Sequence, residues 1–272
     1  MAEETTAPDP AAIEAAKADP ENWREVEAEN LFIFNTTKGR ILIEAIPRVA
    51  PKHVEQFRAI IRSGDYDGTS FHRVIDDFMA QGGDIFALHG RTSGLPNLEG
   101  EFTFRRTPAD TPVTLVGPAE SSTEGYYMGA PIHTQSTYLA DLSSDGMIES
   151  WIPHCPGVVS TARTDDPNSA NSQFFLMRQH SPHLDRTYTA WGRIVSDVET
   201  VRALKPGADT ANGAVRQPDI LMSAHVAADL PEGERPRAWV QKTEGPAFTD
   251  ALIAAGVTPV CDLPPVPTVI EG

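Results

Sequence analysis

Strand-forming runs in this sequence are many and short, while only two segments carry a strong helical period, and that imbalance restricts the fold more than any other feature. Leu31-Phe32-Ile33-Phe34 and Ile41-Leu42-Ile43 are β-prone, and Gly39 between them can supply the positive φ that a hairpin needs. Further short runs span Ser70 to Ile75, Phe102 to Phe104, Val158 to Ala162, Phe174 to Met177, Ala190 to Val195 and Ile220 to Val226. Pro51 opens a helical pattern in which Val54, Phe57, Ile60 and Ile61 recur at spacings of three and four, with Gly64 as its C-cap. A second helix is expected from Asp197 to Leu204, with Val198, Val201 and Leu204 on one face and Gly207 beyond it. Many short strands with two helices favour a mainly β, closed barrel, since closure removes exposed strand edges.

Three stretches fall outside a minimal barrel. Residues 1–22 read as an acidic, Ala/Pro-rich solvated tail, with order beginning near Trp23, although Ala11 to Ala18 can form a short helix. Leu88 to His154 is dominated by Gly, Ser, Thr, Pro and Asp, and so reads as an inserted loop region. Residues 231–272 form a C-terminal extension packed on the 23–230 domain, with a helix from Ala247 to Ala255 closed by Gly256. Beyond it, Leu263-Pro264-Pro265-Val266-Pro267 can only be extended.

Composition removes several functions. Twenty-two Lys and Arg against 38 Asp and Glu give a formal charge of -16, which repels phosphate backbones, so no nucleic-acid partner is expected. No apolar run approaches the roughly 18 residues of a membrane span. The two cysteines, Cys155 and Cys261, exclude a four-cysteine zinc site and allow one disulfide at most. The Ala/Asp/Pro-rich opening fits a chain whose signal peptide has been removed, which would make the protein periplasmic; otherwise it is expected in the cytoplasm.

Phe71-His72-Arg73-Val74-Ile75-Asp76-Asp77-Phe78-Met79-Ala80-Gln81-Gly82-Gly83-Asp84 resembles the signature of the cyclophilins, in which a Phe-His-Arg strand leads into Phe-Met-x-Gln-Gly-Gly-Asp. The resemblance resumes at Asn171-Ser172-Gln173-Phe174-Phe175-Leu176, then at Leu184-Asp185 and Ala190-Trp191-Gly192-Arg193-Ile194, and covers roughly Leu31 to Val226. It implies an eight-stranded antiparallel barrel capped by two helices and a peptidyl-prolyl cis-trans isomerase. No cofactor or metal is implied, and the partners would be proline-containing polypeptides whose folding the enzyme assists.

The chemistry explains the residue types. An X-Pro amide turns slowly because its C–N bond has partial double-bond character and a barrier of about 18–20 kcal/mol. An apolar slot for the proline ring and a cation that hydrogen-bonds the prolyl nitrogen as it loses conjugation both help. The resemblance makes Arg73 that cation and Gln81 the group that orients it; taken alone, each would be an ordinary strand or loop residue. Phe78, Met79, Phe175 and Leu184 would line the slot, though such residues are usually plain core. Gln173 joins the binding set, and Ala162 and the N–H of Arg163 are assigned to the substrate main chain. His183 stands where many eukaryotic members carry Trp, and Tyr188 where they carry His, so weak binding of the family's cyclic inhibitor cyclosporin is expected. His180 and His183 are not read as metal ligands, because Ser181-Pro182 breaks the helix that would align them.

Two other classes compete with the enzyme. One is a barrel that binds proline peptides as a scaffold or holdase with little catalysis, against which Arg73 and Gln81 both count. The other is a hydrolase built from scattered Ser, His and Asp residues, but neither Gly-x-Ser-x-Gly nor His-Glu-x-x-His occurs. The insertion leaves one half of the signature and returns just before the other. It is therefore expected to rim the groove, with Tyr126, Tyr127, Met128, Tyr138, Ile148 and Trp151 meeting a partner or covering the barrel wall.

Overall fold

The computed structural model describes residues 9–117, 123–256 and 258–272; residues 1–8 of the acidic tail and 118–122 of the insertion lie outside that range. Order begins ahead of Trp23. Helix α1 (Pro10–Ala18) starts on Pro10, with the Asp9 side chain accepting the N–H of Ala11 at 2.9 Å. Its buried Ile13 and Ala16 pack on Trp239, so the second half of the supposed solvated tail is a docked helix. Short β1 (Trp23–Glu25) follows, then the hairpin of β2 (Leu31–Thr36) and β3 (Gly39–Ala45), where Gly39 takes φ +128°. Helix α2 (Pro51–Ser63) ends on Gly64 in the left-handed region, as its sequence requires.

Strands β4 (Arg73–Ile75) and β5 (Met79–Gly82) form the next hairpin, followed by the short helix α3 (Ile85–His89). The inserted stretch is a structured layer, which corrects the loop expectation. It contains β6 (Phe104–Arg106), β7 (Thr114–Leu115), β8 (Glu124–Tyr127), β9 (Ala130–Thr134), α4 (Tyr138–Leu142) and β10 (Ile148–Trp151). Its strands make a five-stranded sheet in the order β6-β10-β9-β8-β7. At its centre the buried Arg106 guanidinium donates to Ser150 Oγ, the Thr111 carbonyl and Thr134 Oγ1, each at 2.9 Å. Each guanidinium nitrogen thus has one neutral acceptor, and burial pushes the Arg106 pKa down. Polar strands with a hydrogen-bonded centre carry little hydrophobic period, which is why this sheet reads as loop.

The chain then returns through β11 (Val158–Thr161), β12 (Phe174–Met177), β13 (Ala190–Ile194), the one-turn helix α5 (Glu199–Arg202) and β14 (Leu221–Val226). Helix α5 is shorter than Asp197–Leu204 because the Asp197 side chain turns back to the N–H of Glu199 at 2.9 Å, yet Val201 and Leu204 are buried as their spacing implied. The eight-stranded sheet runs β14-β2-β3-β13-β11-β12-β5-β4, antiparallel throughout. Its two edge strands share no ladder. They are joined by residues 213–221, through the bridges Ser70↔Ile220 and Arg73↔Ala214 and the bond from Leu221 N–H to the Thr69 carbonyl at 2.8 Å. The edges therefore meet only through isolated bridges, and the sheet curls into a half-barrel in place of the closed barrel expected from the sequence.

One face of the curled sheet packs with α2 and α5 around Phe32, Phe34, Phe57, Phe174 and Trp191, with Phe57 and Trp191 stacked at 4.5 Å. The opposite face meets the insertion and the C-terminal extension, which consists of β15 (Arg237–Gln241), α6 (Pro246–Ala255) and β16 (Thr268–Glu271). Strands β1, β15 and β16 form a third sheet. The extension is tied down by the Cys155–Cys261 disulfide, and Tyr126 of the insertion packs edge-on against Phe248 at 5.2 Å. Glu44 on β3 takes Arg24 at 2.6 Å and Arg193 at 2.9 Å, while Arg24 also donates to the Met128 carbonyl. These buried charges join β1, the barrel and the insertion. No helix among the described residues is long and apolar enough to cross a membrane.

Candidate functional site

Strand alternation divides the signature residues between the two faces. Val74, Ala80, Leu176 and Val159 point toward the helices, while their neighbours point the other way. The register then sets Arg73 opposite Gln81, Gln81 opposite Phe175, and Phe175 opposite Ser160, one row across four strands. Met79 lies in the next row, opposite Ile75 and Met177. Gly83, which follows, is sterically required: its φ is +79° and a Cβ would come within 2.8 Å of the Ser172 carbonyl oxygen.

The polar side of this row is a chain of hydrogen bonds. Arg73 Nη1 donates to Gln81 Oε1 at 3.3 Å, and Gln81 Nε2 donates to Gln173 Oε1 at 2.8 Å. Arg73 is also held from below, its Nε donating to the Asn212 carbonyl at 3.0 Å and its Nη2 to Asn212 Oδ1 at 3.1 Å. Asn212 was not foreseen; its sequence signal was the Asn-Gly pair with Gly213, and it adopts φ +51°. No carboxylate lies within ion-pair distance of Arg73 among the described residues.

The apolar side lies next to it. Phe175, Leu184 and Met79 are buried, Phe78 and Tyr188 are half-buried, and His183 is exposed with its ring 5.6 Å from that of Phe78. Tyr188 meets Phe175 edge-on at 5.8 Å. A pocket of about 190 Å³ opens beside Gln81, Gln173, Arg163, Thr164 and Ser169. A larger cleft, about 680 Å³, lies between the barrel and Leu263–Pro267, and none of the sequence-expected site residues lines it.

One expectation changes in detail. The N–H of Ala162 already donates to the Gln173 carbonyl at 2.8 Å, continuing the β11–β12 pairing, so it is not open to a ligand. The Ala162 carbonyl and the Arg163 N–H have no partner among the described residues and form the open main-chain edge.

Behind the slot stands a buried arrangement that the sequence did not reveal. His154 Nε2 meets Ser160 Oγ at 2.8 Å, its Nδ1 meets Asp185 Oδ1 at 2.9 Å, and its ring stacks on Phe175 at 6.0 Å. Ser160 and His154 are fully buried, so this chain braces Phe175 and the Pro182–Leu184 turn and gives a substrate no nucleophile to reach. The insertion touches the margin through β10, where Trp151 lies 5.1 Å from the Arg186 guanidinium and Glu149 pairs with Arg186 at 3.3 Å. Of the residues expected at a rim, Tyr126 and Ile148 are buried within the layer, Tyr127, Met128 and Trp151 are half-buried, and Tyr138 is exposed. No group of three or more His, Cys, Asp or Glu among the described residues could hold a metal ion.

The pattern of the family described as cyclophilin type peptidyl-prolyl cis-trans isomerase matches residues 31–226. A probable peptidyl-prolyl cis-trans isomerase of Brucella abortus is 35% identical over 215 residues, covering 79% of this chain and 87% of that protein. The peptidyl-prolyl cis-trans isomerase cyp18 of Streptomyces antibioticus is 30% identical over 205 residues, 71% of this chain and 96% of its own. Among solved structures, the cyclophilin AquaCyp293 from Hirschia baltica aligns with a TM-score of 0.89 at 48% identity, covering 94% of this chain and 96% of that one. That coverage is too high for the insertion and extension both to be peculiar to this chain.

Proposed function

This chain belongs to the cyclophilin-type peptidyl-prolyl cis-trans isomerase family and is an enzyme of that class, and on this premise we propose that the row from Arg73 to Phe175 is where X-Pro bonds of protein clients are turned. The observation that carries the reading is the chain Arg73–Gln81–Gln173 lying against the apolar walls of Phe78, Met79, Phe175 and Leu184. The proline ring enters that slot. The Ala162 carbonyl and the Arg163 N–H hold the substrate main chain, and His183 and Tyr188 edge the opening.

Arg73 acts as the donor to the prolyl nitrogen. With Asn212 and Gln81 fixing the plane of its guanidinium, little reorganisation is needed as the amide twists. Gln81 positions Arg73 and is itself positioned by Gln173. Rotation needs neither a nucleophile nor a redox group, because no covalent bond is broken.

The clients are folding polypeptides, and the compartment is the periplasm. Support for the compartment comes from the Cys155–Cys261 disulfide, since such bonds persist where the surroundings are oxidising. A protease-coupled assay on a short Ala-Pro peptide tests the enzyme reading. Saturable turnover that proceeds without cofactor or metal is expected; binding without turnover would leave a holdase.

A further inference from the structure

In a chain of net charge -16 most arginines have acidic neighbours, as Arg62 has in Glu29 and Asp229. Arg163 has none within 4 Å among the described residues, although it stands at the margin of the groove. Its partners are neutral carbonyls: Nε donates to Thr187 at 2.9 Å and Nη1 to Thr164 at 2.8 Å. The guanidinium carbon lies 4.3 Å from the centre of the Tyr188 ring, which fixes the plane of the fork. Nη2 has no partner among the described residues, and the residue is half-exposed. The nearby acids do not bind it. Asp166 accepts from the N–H of Asn168 at 2.9 Å within its own turn, and Asp165 is exposed with no ion pair to Arg163.

We propose that Arg163 gives this isomerase a preference for acidic residues within one or two positions of the X-Pro bond. The proposal rests on the reading of the groove given above. Tyr188, on which the guanidinium lies, is packed edge-on against Phe175 of the proline slot. The same residue offers its N–H to the substrate main chain, so a side chain beside the proline passes within reach of Nη2. A carboxylate there accepts a charge-assisted hydrogen bond from a donor that is already oriented, which limits the entropy lost on pairing. An ammonium at that position meets an unneutralised cation.

For a partly exposed pair the attraction of Glu and the repulsion of Lys together correspond to about a three- to tenfold difference in kcat/KM. Long-range repulsion of acidic peptides by the net charge acts nearly equally on wild type and on variants of one residue, so the change in ratio isolates the local contact.

The test uses peptides identical except for Glu, Ala or Lys, placed in turn at the residue before the proline and at the flanking positions. They are turned over by wild type, Arg163→Gln and Arg163→Lys, each checked for folding. Wild type should favour Glu over Lys at one position by at least about threefold, Arg163→Gln should bring that ratio close to one, and Arg163→Lys should keep part of it. A wild-type ratio near one at every position, or a ratio that survives in Arg163→Gln, overturns the proposal. Turnover of the Ala peptide by wild type reports separately on the proline site, so failure there would count against the groove and not against Arg163 alone.

Discussion

Replacing Arg73 by alanine should remove most of the catalysis and little of the stability. The side chain donates twice to Asn212, at 3.0 and 3.1 Å, and once to Gln81 at 3.3 Å. Asn212 is exposed, so water can take its lost bonds, and Gln81 keeps Gln173 at 2.8 Å. No carboxylate is stranded, because Arg73 has no ion pair among the described residues. A folding cost of about 1 kcal/mol follows from net hydrogen-bond values. Turnover responds differently. An uncatalysed step of about 100 s brought to milliseconds is five decades, or roughly 7 kcal/mol. Loss of one transition-state donor costs about 3–4 kcal/mol, so Arg73→Ala should be slower by a factor of hundreds. Arg73→Lys keeps the charge, but one ammonium cannot hold Gln81, Asn212 and the substrate together, and it should fall between the two. The assay is protease-coupled turnover of an Ala-Pro peptide in the cold, with circular dichroism and a thermal melt on each variant. A folded Arg73→Ala enzyme within about threefold of wild type would refute the mechanism.

Three further outcomes are expected. The disulfide closes a loop of 106 residues, for which chain entropy gives about 4.7 kcal/mol and practice about 2–5; Cys155→Ala/Cys261→Ala should lower the urea midpoint accordingly, and an unchanged midpoint would sink the estimate. Ala50 offers α2 no side-chain cap, and Glu101 of the insertion supplies one, taking the N–H groups of Lys52 at 3.2 Å and His53 at 3.0 Å and the His53 ring at 2.7 Å. Burial alone would raise the Glu101 carboxyl, but the His53 ring and these N–H groups outweigh it and hold the pKa below 4.5. The unfolded chain therefore binds the proton more readily, so this stability is present above about pH 4.5 and is lost as pH falls through the lower folded value. Glu101→Gln should cost about 1 kcal/mol at neutral pH and flatten that acid limb of the stability curve; a limb identical to wild type contradicts the assignment. Finally, cyclosporin should inhibit weakly, because exposed His183 lacks the area and donor of an indole, and His183→Trp should bind it more tightly; nanomolar inhibition of the wild type would rule this out.

The sequence by itself determined the elements whose signal is local. The Val54, Phe57, Ile60 and Ile61 period with Gly64 gave α2, Phe174 to Met177 gave β12, and the Gly39 turn gave the first hairpin. Through its resemblance, the signature also named Arg73, Gln81 and Phe175, and the register sets them in one row, because period-two alternation fixes which residues share a face. Tertiary structure alone decided what depends on distant partners. Asn212 reaches Arg73 across 139 residues of sequence, and Ser160–His154–Asp185 joins β11 to the turn that carries Leu184. It also decided that the polar insertion folds, since buried Arg106 is satisfied by acceptors on separate segments that no periodicity records. The N–H of Ala162 was taken by the Gln173 carbonyl for the same reason: whether a main-chain donor is open depends on which strand lies beside it, and strand neighbours are set by the fold.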